Sequence, residues 1–142
     1  MASSSDADII LKLYQLRTEA GMRAARKFML HYEPSSFDEI AALMRDFGSE
    51  QRGYWRQVIT YWEMAASFVL HDALDPELFA ATSTENFYLY AKFTPYFEQW
   101  SKTFGEPFME HTAKLIEDYS SMAQRYTIAL ARRQAQQKQK TE

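Results

Sequence analysis

Apolar residues along the chain recur at the three- and four-residue spacing of amphipathic helices, with capping residues, glycines and prolines between the periodic stretches. Residues 53–79 are apolar on nearly every side, apart from a narrow polar seam that includes Glu63. Such a helix is typical of the centre of a helical assembly. No convincing stretch shows the two-residue period of a strand. The pattern predicts an all-α fold, a helical bundle of about four long helices plus one or two short ones.

Capping and breaking residues predict helices over about 5–32, 36–48, 50–73, 76–81, 83–104 and 107–132, which form a single domain over 5–132. Pro95 must either kink the fifth helix or restart it with Thr94 as its cap. The polar residues 133–142 carry no apolar stripe and are expected to be frayed or disordered. The last helix carries a heptad seam that comprises Phe108, Thr112, Leu115, Tyr119, Met122, Tyr126 and Ala129.

Arg17 is a charged residue on the otherwise apolar face of the first predicted helix, whereas Arg26 falls on the outer side. We predict that Arg17 pairs with a carboxylate, Glu63 first and Glu98 second. If the pair is buried, removing one partner should cost about 3–5 kcal/mol, because the other charge would be stranded. The alternative is that the polar seam faces water and that the Arg17 stem packs while its guanidinium reaches solvent. The apolar face itself is expected to comprise Ile9, Ile10, Leu13, Leu16, Ala20, Ala24 and Phe28.

Composition narrows the classes of partner. Ten Phe, nine Tyr and three Trp in 142 residues favour self-association, since a small bundle has limited interior for them. A net charge of −3 argues against general binding of nucleic acid or of an anionic membrane surface. The chain has no Cys, no secretory signal and no apolar run long enough to span a membrane. A cytoplasmic location is the expectation.

Motifs that hold metals or nucleotides are missing from the sequence. No Glu-x-x-His or His-Glu-x-x-His motif occurs, and the isolated glycines form no phosphate-binding loop. Asp72 and Asp75 are the nearest approach to a magnesium-binding acid pair, and Asp75 is better explained as a helix cap. No metal, no cofactor and no catalytic residues are predicted, and an enzyme is the less favoured interpretation.

Four segments of the sequence carry a likeness to a known family. They are the opening IILKLYQLRTEAGMRAARKF and the later YWEMAASFVLHDALDPELF, YLYAKFTPYFEQW and FGEPFMEHTAKLIE. These segments resemble an uncharacterised family of small all-helical bacterial proteins. The family is classed as a domain of unknown function, and the likeness spans about residues 8–120. The resemblance implies a helical domain and a bacterial source. It implies no activity, so no functional residue is carried over from it.

Two functions agree with these features. The first is a non-enzymatic helical interaction or oligomerisation protein, as a homodimer, another homo-oligomer or the partner of a different protein. The second is a helical small-ligand-binding or sensor protein with an aromatic pocket between helices and Arg17 or Glu63 as its polar anchor. The aromatic residues that could line this pocket are Tyr61, Trp62, Tyr88, Tyr90, Phe93 and Trp100. They also fit an ordinary hydrophobic core.

Overall fold

The computed structural model describes residues 1–141 and confirms the all-α class for them. The chain forms nine α-helices in this range, with a 3-10 turn at Thr94–Tyr96 between the sixth and the seventh. They are α1 (Ser4–Thr18), α2 (Ala20–His31), α3 (Phe37–Arg45), α4 (Glu50–Leu70), α5 (Pro76–Thr82), α6 (Glu85–Lys92), α7 (Phe97–Phe104), α8 (Glu110–Asp118) and α9 (Ser120–Thr141).

Three of the long helices that the sequence predicts are divided in the structure. Glu19 and Tyr119 adopt extended backbone angles, which separate α1 from α2 and α8 from α9. Pro95 lies in the 3-10 turn after α6, where the missing N–H and fixed φ of proline are tolerated. The helix therefore restarts after Pro95, but Tyr96 and not Thr94 is the residue that precedes α7.

The break at Glu19 changes which residues of this region face the core. Leu13 of α1 is buried, as the first predicted helix requires, but Leu16, Ala20 and Ala24 are exposed. A continuous helix would keep one face inward over its whole length, whereas the extended Glu19 reorients α2. The predicted apolar face is therefore wrong at Leu16, Ala20 and Ala24, whereas Phe28 is half-buried and packs on the core. Helix α2 also buries Met22, Ala25 and Met29.

Helix α4 lies at the centre of the fold, as its nearly all-round apolar surface predicts. It packs against α2, α3 and α8, while α9 packs against α6 and α8. Helix α1 closes the side of the bundle through contacts with α2 and α5. The buried residues of α4 are Trp55, Val58, Tyr61, Trp62, Ala65, Ala66 and Val69.

Capping explains why several helices begin where they do. The side chains of Ser49 and Asp75 accept hydrogen bonds from the first-turn amides of α4 and α5, and Pro76 follows Asp75 at the first position of α5. At the start of the chain, Ser3 is the cap of α1. Its backbone N–H donates to the Asp6 carboxylate while its hydroxyl accepts from the Asp6 amide, which forms a capping box.

Helix α9 continues to Thr141, through most of the segment for which the sequence predicts a frayed or disordered tail. Arg133 in this stretch is buried and forms a two-pronged ion pair with Glu33, just beyond α2. From Gln134 to Thr141 the side chains are exposed. Glu142 lies outside the described residues. None of the helices in residues 1–141 has the combined length and apolar character that crossing a membrane requires.

Candidate functional site

Glu63 is partly buried and paired, but with the start of α8 and not with Arg17. Its two carboxylate oxygens accept hydrogen bonds from the amide of His111 at 2.8 Å and from the amide and hydroxyl of Thr112 at 3.0 and 2.7 Å. Met109 stands at the N-cap position, where its side chain makes no capping hydrogen bond. Glu63 therefore caps α8 from a different helix, where the positive end of the helix dipole favours a carboxylate.

The predicted ion pair of Arg17 with Glu63 or Glu98 is wrong. The Arg17 guanidinium carbon lies 5.2 Å from the centroid of the Tyr14 ring and 5.6 Å from that of Trp62. Since α1 packs on α2 and α5, Arg17 reaches the Trp62 side of α4, while Glu63 is turned toward α8. Glu98 bonds to Lys102 one helical turn away, in solvent.

The other predicted site residues divide between two regions. Tyr61 and Trp62 lie near Arg17, where the buried Tyr61 hydroxyl donates to the backbone carbonyl of Leu13. Burial raises the pKa of this hydroxyl to about 12. Phe93 and Trp100 belong instead to an aromatic cluster, which we define as Trp55, Phe93, Trp100, Phe104 and Phe108. Neighbouring ring centroids in this cluster lie 4.4–6.0 Å apart.

Glu85 and Arg26 form a buried polar contact that the sequence interpretation missed. The Arg26 Nε atom lies 3.0 and 3.2 Å from the two carboxylate oxygens of Glu85, which is 8% exposed. The indole N–H of Trp62 donates to the same carboxylate at 2.9 Å. Arg26 is expected on the outer side of a continuous first helix, and the break at Glu19 is what turns it inward. No spacing in the sequence connects it to Glu85, which is 59 residues away.

A cavity of about 390 Å³ opens beside this contact, between α2, α6 and α9, and we call it the arginine cavity. Four arginines and one carboxylate, that of Glu85, contribute the charges of its lining. Glu85 is already bonded to Arg26 and Trp62. Within residues 1–141, no carboxylate forms an ion pair with the other three arginines, Arg17, Arg125 and Arg132.

Lys92 of α6 joins this helix to the end of α2. It is 2% exposed, and its ammonium group donates to the backbone carbonyls of Met29 and Tyr32. Carbonyls at a helix C-terminus have no partners within the helix, so a cation is favourable there. Burial lowers the pKa of the ammonium to about 8, and the nearby Glu33 carboxylate opposes this change. This contact and the Arg26–Glu85 pair hold α2 and α6 together on one side of the cavity.

Asn86, the neighbour of Glu85, is completely buried, and neither polar atom of its side-chain amide has a hydrogen-bond partner among residues 1–141. An unpaired buried polar group costs about 1–3 kcal/mol. We therefore expect Asn86→Leu, which is similar in shape, to raise the free energy of unfolding by about that amount in urea denaturation. Asn86→Ala is the control: it removes the same amide but leaves a cavity, so the difference between the two variants measures the contribution of side-chain volume. A loss of stability in the leucine variant would contradict the prediction.

No three His, Asp or Glu side chains in residues 1–141 lie close enough together to hold a metal ion. Neither the curated proteins nor the solved structures include a significant match to this chain. The chain does match one family model, which describes a domain of unknown function, DUF4760. The match covers residues 2–119, which include α1 to α8, and the chain therefore belongs to the DUF4760 family.

Proposed function

We propose that the protein binds a small organic anion in the arginine cavity. The observation that carries this proposal is the concentration of four arginines around one already bonded carboxylate, in a chain whose net charge is −3. Guanidinium groups form paired, charge-assisted hydrogen bonds with carboxylate and phosphate oxygens. The cavity also falls within the range of about 300–1,000 Å³ that small-ligand sites occupy.

The arginines come from three separate helices, so an anion at this site would bridge them. Arg17 lies at the end of α1, Arg26 in α2, and Arg125 and Arg132 in α9. Three of these positive charges have no carboxylate partner among residues 1–141, and a bound anion would compensate them. The cavity is partly enclosed by Leu30, Phe87, Tyr88, Ile128 and Ala129, which lowers the local dielectric and strengthens the attraction.

The test is calorimetric titration with pyrophosphate and citrate at low ionic strength. We expect binding that weakens as salt is added, because salt screens exposed charges. Arg132→Gln and Arg125→Gln should each weaken binding by about tenfold to a hundredfold, which corresponds to the loss of a hydrogen bond to a charged group. Arg45→Gln is the matched control, since Arg45 is exposed at the end of α3 and does not line the cavity. Binding that Arg132→Gln and Arg125→Gln leave unchanged would overturn the proposal, and so would absence of binding at millimolar ligand.

A second candidate function is a helical interaction or oligomerisation module, as a homodimer, another homo-oligomer or the partner of a different protein. It is supported by large apolar side chains of α1 that stand in solvent, with Leu11 60% and Tyr14 58% exposed. A second copy placed over them would remove this apolar surface from water. Light scattering should then show an oligomer that Leu11→Gln weakens. A monomer at high micromolar concentration would contradict this candidate.

A further inference from the structure

A second cavity, of about 330 Å³, lies beneath α1, and we call it the α1 cavity. Its walls come from α1, from the middle of α4 and from the junction between α5 and α6. They are mostly apolar, and Ile10, Leu11, Tyr14, Tyr61 and Trp62 contribute to them. The exposed side chains of Leu11 and Tyr14 therefore form the wall of a concave site.

The α1 cavity and the arginine cavity meet at Arg17, which lines both. Ser83 and Thr84, which are consecutive in the chain, line one cavity each. Trp62 connects the two as well: it lines the α1 cavity, while its indole N–H donates to Glu85 in the arginine cavity. The two cavities are thus adjacent parts of one surface, with apolar walls on one side and arginines on the other.

Arg17 is placed at the boundary between these two environments. Its guanidinium carbon lies within 6 Å of two aromatic ring centroids, those of Tyr14 and Trp62, and its side chain is half-buried. The aliphatic stem of an arginine packs on apolar surface while its charged end stays hydrated or binds an anion. A ligand that matched both sides would carry its charge at this boundary and an apolar chain beyond it.

We propose that the ligand is an amphiphilic anion, with a phosphate or carboxylate head in the arginine cavity and an alkyl chain in the α1 cavity. This inference rests on the proposed anion-binding function. The cationic side accounts for the head group, and the apolar walls account for the chain, whose burial removes apolar surface from water. The same walls leave Leu11 and Tyr14 without any requirement for a second copy of the protein to cover them.

The experiment is calorimetric titration of the full chain with methyl, butyl, hexyl and octyl phosphate, and with octanoate to compare the two head groups. We expect the dissociation constant to fall by about fourfold for each added methylene that enters the cavity. Leu11→Gln should reduce this dependence on chain length, because Leu11 forms part of the apolar wall, while it leaves the binding of methyl phosphate unchanged. Leu16→Gln is the matched control, because Leu16 is an exposed leucine of the same helix that does not line the α1 cavity.

The possible outcomes separate this inference from the function on which it rests. If methyl phosphate binds but longer chains bind no better, the amphiphile is ruled out and anion binding stands. If neither the alkyl phosphates nor the small anions bind, both proposals fail. An equal loss of chain-length dependence in Leu11→Gln and Leu16→Gln would show unspecific adsorption and overturn the inference. A dimer that Leu11→Gln dissociates, without any chain-length dependence, would assign this face to a second copy instead.

Discussion

Replacing Glu63 with alanine should lower the free energy of unfolding by about 2–4 kcal/mol, because three hydrogen bonds to a carboxylate are lost together. The amide and hydroxyl of Thr112 belong to a completely buried residue, so they would be left without a partner. Water can reach part of the site, since the Glu63 side chain is 16% exposed, and this limits the loss. Urea denaturation followed by far-ultraviolet circular dichroism measures the change.

Two further variants make the Glu63 result specific. Glu63→Gln keeps one acceptor oxygen and should fall between the wild type and the alanine variant. Glu98→Ala removes an acid from an exposed pair with Lys102 and should leave the free energy of unfolding nearly unchanged. If Glu63→Ala behaves like Glu98→Ala, the carboxylate does not cap α8 in solution.

Replacing Phe93 with alanine should lower the free energy of unfolding by about 3–5 kcal/mol, the usual cost of removing a fully buried phenylalanine ring. Phe93 is 2% exposed, and its ring centroid lies 4.9 Å from that of Trp55 and 5.2 Å from that of Phe108. These rings cannot close the gap without leaving their own contacts, so a cavity would remain. Chemical denaturation gives the size of the loss, and near-ultraviolet circular dichroism reports the change around the tryptophan.

Phe47→Ala is the control for this variant, because Phe47 is 76% exposed and its ring contacts the Arg52 guanidinium rather than the core. We expect its cost to be about 1 kcal/mol or less, the value of an exposed cation–π contact. A similarly small cost for Phe93→Ala would contradict its place in the core.

The parts of the fold that depend on local chemistry could be predicted from the sequence. Asp75 could be recognised as a helix cap because Pro76 follows it directly. The central position of α4 could be predicted because the apolar residues within this one helix cover most of its surface. The seam from Phe108 to Ala129 is buried or half-buried at every position, although the chain bends at Tyr119 in the middle of it. The bends at Glu19 and Tyr119 were not predicted, because no proline marks them and the apolar period continues past both.

The candidate site was less accessible to prediction because its contacts join distant parts of the chain. The sequence predicts an arginine partner for Glu63, and a search by residue type does not find the two backbone amides and the Thr112 hydroxyl that it bonds instead. Arg26 meets Glu85 only because α2 turns at Glu19. The arginine cavity likewise brings together Arg17 and Arg132, which no sequence period relates. Such groupings are set by how the helices pack.

The capping of α8 by Glu63 also makes the stability of this helix depend on its contact with α4. A nine-residue helix is marginal by itself in water, and Met109, which precedes α8, has left-handed backbone angles and an apolar side chain that do not help to start it. The missing acceptor lies 48 residues earlier in the chain, on α4. Helix α8 therefore gains its first-turn hydrogen bonds only when it docks against α4. We therefore expect the formation of α8 to be coupled to that docking.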